Sequence, residues 1–443
     1  MTLSITSFKY VLANTLNVTR KYLIPGTLIA VIIFAHTWQL GNIPPGLSID
    51  ELSVGKNAYF IASAGQDEHG QRLPLYFRAF GDYKSPVQIY TTALFFKFIR
   101  PSNYSIRLIS AAFFLLFLLG IWLLAKEIFK RTSVATYTLL AAAFLPWFFV
   151  WSRTALESII PQLFFTVLAL LFIYKTYHST NQSNYQYINP ALAGLFIGLS
   201  IYTYHTARLL TFILLLLCLI IYLRKKTIRI TMALLTLFTV TALPYFYYFI
   251  INSNKLTARF REISYIFKPE FSPLTKLHMF ISSYFSQFNP NFLLYHGDIT
   301  PRHATGFGGE LFFIVFILAI IGLCWTLIQI KGGGVDKFKV FITLNLLLTP
   351  VAGALADVTQ SSARTILVGL YFLIISSYGF YLIVNTPRRS NKNIVAISIF
   401  IILIIESSLY VQHYFTKYPP ISHAWFGIDT FEQELPTLPS PAN

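Results

Sequence analysis

Eleven apolar runs, most of them 17–25 residues long, divide this chain. They fall at about 22–38, 105–125, 134–151, 157–174, 189–204, 207–223, 228–251, 310–330, 338–356, 365–384 and 394–411. Runs of that length match the roughly 30 Å hydrocarbon thickness that a helix crosses in about 20 residues. Inside a bilayer the backbone has no water to bond, so each run has to close its own hydrogen bonds as a helix. The fold class expected is therefore all-α: a polytopic bundle of about eleven transmembrane helices. Composition agrees, with 55% hydrophobic and only 12% charged residues in 443. A soluble domain carries about twice that charged share. Cys218 and Cys324 both fall inside apolar runs, which argues against a disulfide framework or zinc site. The run at 22–38 lacks a small-residue cleavage site and is read as an anchor, not a removed signal.

A net charge of +17 would suggest nucleic acid in a soluble protein, but its distribution says otherwise. The connectors "KEIFKR", "LRKKTIR", "KGGGVDKFK" and "NTPRRSNKN" share one face with the N-terminus. That face holds seventeen Lys and Arg against Glu127 and Asp336, a net of +15, leaving +2 for the other. The positive-inside rule makes the basic face cytoplasmic. The N-terminus is then cytoplasmic and the C-terminus external, and the two long segments, 39–104 and 252–309, lie outside. Residues 1–411 form one transmembrane domain and 412–443 a short external tail. The run 87–100 is apolar enough to suggest another span. A juxtamembrane helix with Lys97 and Arg100 reaching to the interface costs less.

The first external loop holds five of the chain's seventeen carboxylates: Asp50, Glu51, Asp67, Glu68 and Asp82. Ser48-Ile-Asp-Glu51 has the form of a capping box, opening a helix with Val54, Ala58 and Ile61 on one face. First-turn acids also answer the helix dipole, which is the plainer reading of Glu51. Asp50 sits close to the bilayer surface, where an ionised group is expensive without a partner or a task. Further on, Gly81 and Pro86 bracket Asp82, Tyr83 and Lys84, so a tight turn presents an acid and a base at the membrane surface.

Short outer turns add cations at the same depth. They supply Arg153 with Glu157, His205 with Arg208, and Asp357 with Arg364. One interfacial Arg would be read as a lipid-headgroup contact; several on one face suit a phosphate, which the planar guanidinium grips in paired hydrogen bonds. The second long loop ends in "NPNFLLYHGDITPRHATGFGGE", with His296, Asp298, Arg302 and His303 among glycines. Its spacing is not that of a zinc motif. No cofactor is assigned, and a divalent ion on Asp and Glu oxygens stays open.

The ordered set "IDELSVGKNAYFIASAGQDEHG", "GDYKSPVQIY…SNYSIRLISA", "PWFFVWSRTALES", "YTYHTAR" and "YHGDITPRHATGFGG" resembles the GT-C class of glycosyltransferases that depend on polyprenyl-phosphate sugars. That class includes the protein mannosyltransferases and the aminoarabinose transferase acting on lipid A. The resemblance covers most of residues 20–365. It implies an integral-membrane enzyme that moves one sugar from a polyprenyl-phosphate carrier to an acceptor, outside the cytoplasmic membrane, in one inverting displacement. By position, Asp50 would be the general base and Glu51 its acidic neighbour. Lys84 would bind the carrier phosphate, with "YKSP" standing where relatives more often carry Lys-Pro. His296, Arg302 and His303 would supply phosphate and sugar contacts, with Asp82, Tyr83, Arg153, His205, Arg208 and Arg364 in support. The implied partners are the lipid-linked donor, an acceptor (protein, lipid or envelope glycan) and membrane lipid, with no nucleic acid.

Two rivals share this membrane setting. A lipid-linked-sugar transporter would line a path through the bundle with ionisable groups, whereas these charges gather at span ends. A polymerase or ligase using a lipid-diphosphate donor would share the outer-face chemistry.

Overall fold

The computed structural model describes residues 23, 25–179, 186–223, 227–334, 336–356, 360–385, 391–427 and 431. Each of the eleven apolar runs meets a helical segment. Eight helices are long and apolar enough to cross a membrane, or nine if Thr132–Phe144 and Pro146–Ser152, bent by 60°, form one broken span. Pro146 explains the break, since it lacks an amide hydrogen and clashes with the preceding turn. Pro25–Thr37 (α1) and Ile188–Ser200 (α8) are shorter apolar helices. At 1.5 Å per residue, α8 covers about 20 Å.

The membrane helices pack through small residues. Gly194 and Gly198 of α8 lie directly on α10 (Ile228–Ile263): a Cβ on Gly194 would collide with the Leu234 carbonyl oxygen, and one on Gly198 with the Thr241 hydroxyl. Likewise Gly322 of α12 (Phe313–Lys331) and Gly379 of α15 (Ile366–Asn385) face each other's backbones. Lipid tails are as apolar as leucine, so this close approach, not water exclusion, holds such helices together.

Two findings modify the sequence reading, and a third agrees with it. The helix expected to end at 251 runs on to Ile263, across a kink at Asn252. The segment 87–100 contains a short helix, as expected, α3 (Pro86–Phe96). The fold is also not purely α: β1 (Phe77–Ala79) pairs antiparallel with β2 (Asp82–Lys84), joined by Phe80 and Gly81.

The capping box at Ser48 forms as expected and opens α2 (Ile49–Ala64), which ends at Gly65 in the left-handed conformation. Val54 and Ala58 are buried, with Ile61 packed beside them. They share a small satellite core with Leu47, Phe77, Ile89, Ile106, Ala155 and Phe431. This core fixes α2, the hairpin and α3 onto the start of α4 (Asn103–Phe129). Phe431 lies in the C-terminal tail; its backbone amide donates to Asn103 Oδ1 at 2.8 Å. The tail therefore packs onto the same satellite core as α2 and the hairpin.

Candidate active site

Neighbouring residues on a helix point about 100° apart, and this separates Asp50 from Glu51. Glu51 turns into the protein and is fully buried. Its carboxylate accepts from Ser48 N (3.0 Å), Arg107 Nε (2.8 Å) and Nη2 (3.1 Å), and Ala155 N (2.9 Å). Arg107, equally buried, also donates to the carbonyls of Leu40, Pro44 and Gly46. The pair ties the first long loop to α4 and to the Arg153–Ser158 turn. Glu51 is thus engaged on every side and does not line the cavity.

Asp50 turns the other way, into a cavity of about 690 Å³. Its Oδ1 accepts from Lys84 Nζ at 2.7 Å and its Oδ2 from Arg302 Nη1 at 3.1 Å. Lys84 donates also to Glu157 Oε1 at 3.0 Å. His205 Nε2 stands 3.3 Å from Asp82 Oδ2 and 3.8 Å from Glu157 Oε2. Burial pushes the pKa of Asp50 up, but Lys84, Arg302 and His303 outweigh it and leave the carboxyl below its ordinary range. Asp82 likewise falls below it, burial being overcome chiefly by His205. For Lys84, burial is outweighed by Glu157 and Asp50, so its ammonium is held above the usual lysine range. These groups are charged at neutral pH.

A second anchor fixes Arg302. Asp298 accepts from Thr300 N (2.8 Å), Ser362 N (2.9 Å) and His303 Nδ1 (3.0 Å), pinning the 298–303 loop against the turn before α15. His303 stacks on Trp151, ring centroids 4.9 Å apart. Tyr418 Oη donates to the Pro301 carbonyl, and the Arg302 guanidinium lies 5.5 Å from the Trp425 ring. The tail again touches the site.

The cavity lining holds Asp50, Asp82 and Glu157 against Lys84, Arg208, Arg259, Arg302 and Arg364. Among the described residues that is three acids to five cations, with His205 and His303 beside them. Three of the arginines that line this space carry unused donors. Arg302 Nε, Arg208 Nε and Nη2, and Arg364 Nη1 are buried and find no hydrogen-bond partner among the described residues. A buried unsatisfied donor is costly, and an anion with several acceptor oxygens would satisfy the set. The lining also includes Leu209, Tyr245, Phe249, Leu256, Phe260 and Leu355, which make part of it apolar. Among the described residues no three His, Cys, Asp or Glu side chains converge to hold a metal ion.

The structure brings Asp50, Asp82, Lys84, His205, Arg208, Arg302, His303 and Arg364 to one cavity. Four other expected residues lie elsewhere. Glu51 is taken by Arg107. Arg153 is buried and donates to the carbonyls of Ala35 and Trp38, both at 2.7 Å; it satisfies the open C-terminal end of α1. Tyr83 falls on the opposite face of its strand from Asp82 and Lys84, as the period of two requires. His296 is exposed and outside the cavity lining. Asp357 lies outside the described residues. Conversely, Glu157 holds Lys84 from a left-handed backbone (φ 57°), a strained conformation for a non-glycine residue.

Residues 83–251 match the family model of the dolichyl-phosphate-mannose-protein mannosyltransferases. No curated protein sequence matches the chain. Among solved structures, ArnT from Cupriavidus metallidurans in the apo state superposes with a TM-score of 0.55 at 12% identity, over 93% of this chain and 75% of that one. ArnT bound to undecaprenyl phosphate gives 0.51 at 13% identity, with the same shares covered. The oligosaccharyltransferase AglB from Archaeoglobus fulgidus, in complex with an inhibitory peptide and a dolichol-phosphate, gives 0.51 at 13% identity, over 89% of this chain and 56% of that one. The chain thus has the fold of the GT-C glycosyltransferases, and the segment matching their mannosyltransferase family supplies Lys84, Glu157, His205 and Arg208 to the cavity.

Proposed function

We propose that this protein is an integral-membrane glycosyltransferase that moves a sugar from a polyprenyl-phosphate carrier to an acceptor hydroxyl on the external face of the cytoplasmic membrane. The observation that carries the reading is Asp50, held between Lys84 and Arg302 at the head of a cavity rich in unused arginine donors. The elements around that cavity lie at the ends of spans opposite the basic connectors, which supports an external site.

The donor phosphate enters among Lys84, Arg208, Arg302 and Arg364, and the polyprenyl chain runs along the apolar lining from α9 (His205–Leu223) and α10. As the phosphate takes hydrogen bonds from Lys84 and Arg302, Asp50 is released from them and recovers basicity. It then accepts the proton of the acceptor hydroxyl. That oxygen bonds to the anomeric carbon as the bond from carbon to phosphate oxygen breaks, its electron pair remaining on the phosphate. A single displacement of this kind inverts the anomeric centre. The cations stabilise the charge that grows on the phosphate; one such preorganised donor is typically worth about 2.7–4 kcal/mol of barrier. The cationic excess of the lining suits a departing phosphate monoester, which carries a charge of about −1.5 to −2 at neutral pH. The charges gather at one end of the bundle, which favours transfer chemistry over a conduction path.

The test is transfer in detergent, with labelled hexosyl- and pentosyl-undecaprenyl phosphates as donors and envelope extract as acceptor. Detergent abolishes the two compartments, so transport cannot imitate the signal. Label reaching an acceptor supports the reading; no transfer from any donor by folded protein overturns it.

A further inference from the structure

Phe80 is in the wrong place for a phenylalanine by every local criterion. It is the first of the two residues turning the β1–β2 hairpin, with φ 52°, and Gly81 follows with φ 77°. Two-residue turns with both φ values positive favour Asn, Asp or Gly at the first position, because other side chains meet the backbone there. A left-handed conformation in a bulky residue is a genuine outlier. Nor does burial repay it: Phe80 is 66% exposed. Yet it lines the cavity. A strained, exposed aromatic residue at the mouth of a site is an observation from which function is properly inferred.

The hairpin register says what it would meet. Phe77 pairs with Lys84 and Ala79 with Asp82, so the period of two places Ala79, Asp82 and Lys84 together on the cavity face. Phe80 stands three residues beyond the Lys84 rung, about 10 Å along the hairpin. The polyprenyl chain has its own apolar lining on α9 and α10. The group between a phosphate at Lys84 and the turn is then the one bonded to that phosphate on its other side. We propose that Phe80 is a platform for the transferred sugar, packing its ring against the sugar's C–H face while Asp82 meets hydroxyls beside it. This rests on the lipid-phosphate-sugar reading given above and adds a specificity-determining residue to it. Aromatic faces are electron-rich and attract such polarised C–H edges.

The choice of residue makes the test sharp, because Asn suits this turn better than Phe. Phe80→Asn and Phe80→Tyr are compared with wild type for binding of undecaprenyl phosphate and of its hexosyl and pentosyl derivatives, alongside the melting temperature. Phe80→Asn is expected to melt no lower than wild type and to bind the sugar-bearing donor about fivefold more weakly. Its affinity for bare undecaprenyl phosphate should be unchanged, and Phe80→Tyr should retain both affinities. Equal weakening for both lipids overturns the proposal in favour of a lipid or phosphate contact, and no weakening for either overturns it outright. A wild type that binds neither lipid removes the transferase reading itself, and this inference with it.

Discussion

Replacing Arg107 with Leu should unfold the site from beneath, and the size of the effect follows from what Arg107 holds. Both it and Glu51 are fully buried, joined through two hydrogen bonds of 2.8 and 3.1 Å. Removing one partner of a buried pair leaves the other's charge uncompensated, which costs about 3–5 kcal/mol. Here the carbonyls of Leu40, Pro44 and Gly46 lose their donor as well. Arg107→Leu is therefore expected at the upper end of that range. The double variant Glu51→Leu with Arg107→Leu removes the stranded charge too, and should recover part of the loss. The assay is denaturant unfolding in detergent, followed by tryptophan fluorescence, over wild type, both single variants and the double. A loss under 1 kcal/mol for Arg107→Leu, or a double variant whose loss equals the sum of the two singles, would refute the reasoning.

Lys84→Ala should lower kcat by roughly 10²–10³-fold, the usual cost of one preorganised charge-stabilising donor, and weaken undecaprenyl phosphate binding; steady-state kinetics with a loss below tenfold would contradict this. The pH dependence has a definite sign. Asp50 titrates below its unfolded value of about 3.9, so its ion pairs contribute stability in full above that value and lose it as pH falls through the lower folded value. Lys84 is raised, so its share is full below about 10.4 and is lost as pH climbs through the higher folded value. Melting temperatures between pH 2 and 6 should fall less steeply for Asp50→Asn than for wild type; parallel curves would count against the pairing. Gly379→Val forces a side chain into the Leu318 backbone and should cost at least about 1–3 kcal/mol of overpacking, read as a lower melting temperature in detergent.

The helices were legible because a bilayer leaves the chain few options: apolar length and charge asymmetry are both written locally. The capping box at Ser48 was legible for the same reason, its partners being three residues apart. What sequence could not resolve was direction around a helix or strand end. Asp50 and Glu51 look alike as neighbours, and only the fold separates them, by giving Glu51 an arginine 56 positions away. Arg107 did carry a signal, being an ionisable residue one turn inside an apolar run, where a charge needs a partner. Arg153 misled because an arginine at a span end serves a helix's open carbonyls as readily as a phosphate. Tyr83 could have been set aside had the hairpin been expected, but three-residue strands are too short to stand out by alternation. Glu157 sits in a turn whose left-handed backbone has no mark in the residue itself. The tail's role rests on contacts between Trp425, Phe431 and elements more than a hundred residues earlier.

The central claim is that Asp50 takes the acceptor's proton, and one comparison tests it most directly. Single-turnover transfer from the active hexosyl- or pentosyl-undecaprenyl phosphate is measured for wild type and Asp50→Asn, with donor binding measured on the same samples. An isosteric amide that keeps one acceptor oxygen for Lys84 or Arg302 but cannot take a proton should bind donor much as wild type does. Its transfer rate should fall by about 10²–10⁴-fold, the usual worth of a positioned general base. Transfer within tenfold of wild type, with donor bound, would contradict the assignment of Asp50 as the base.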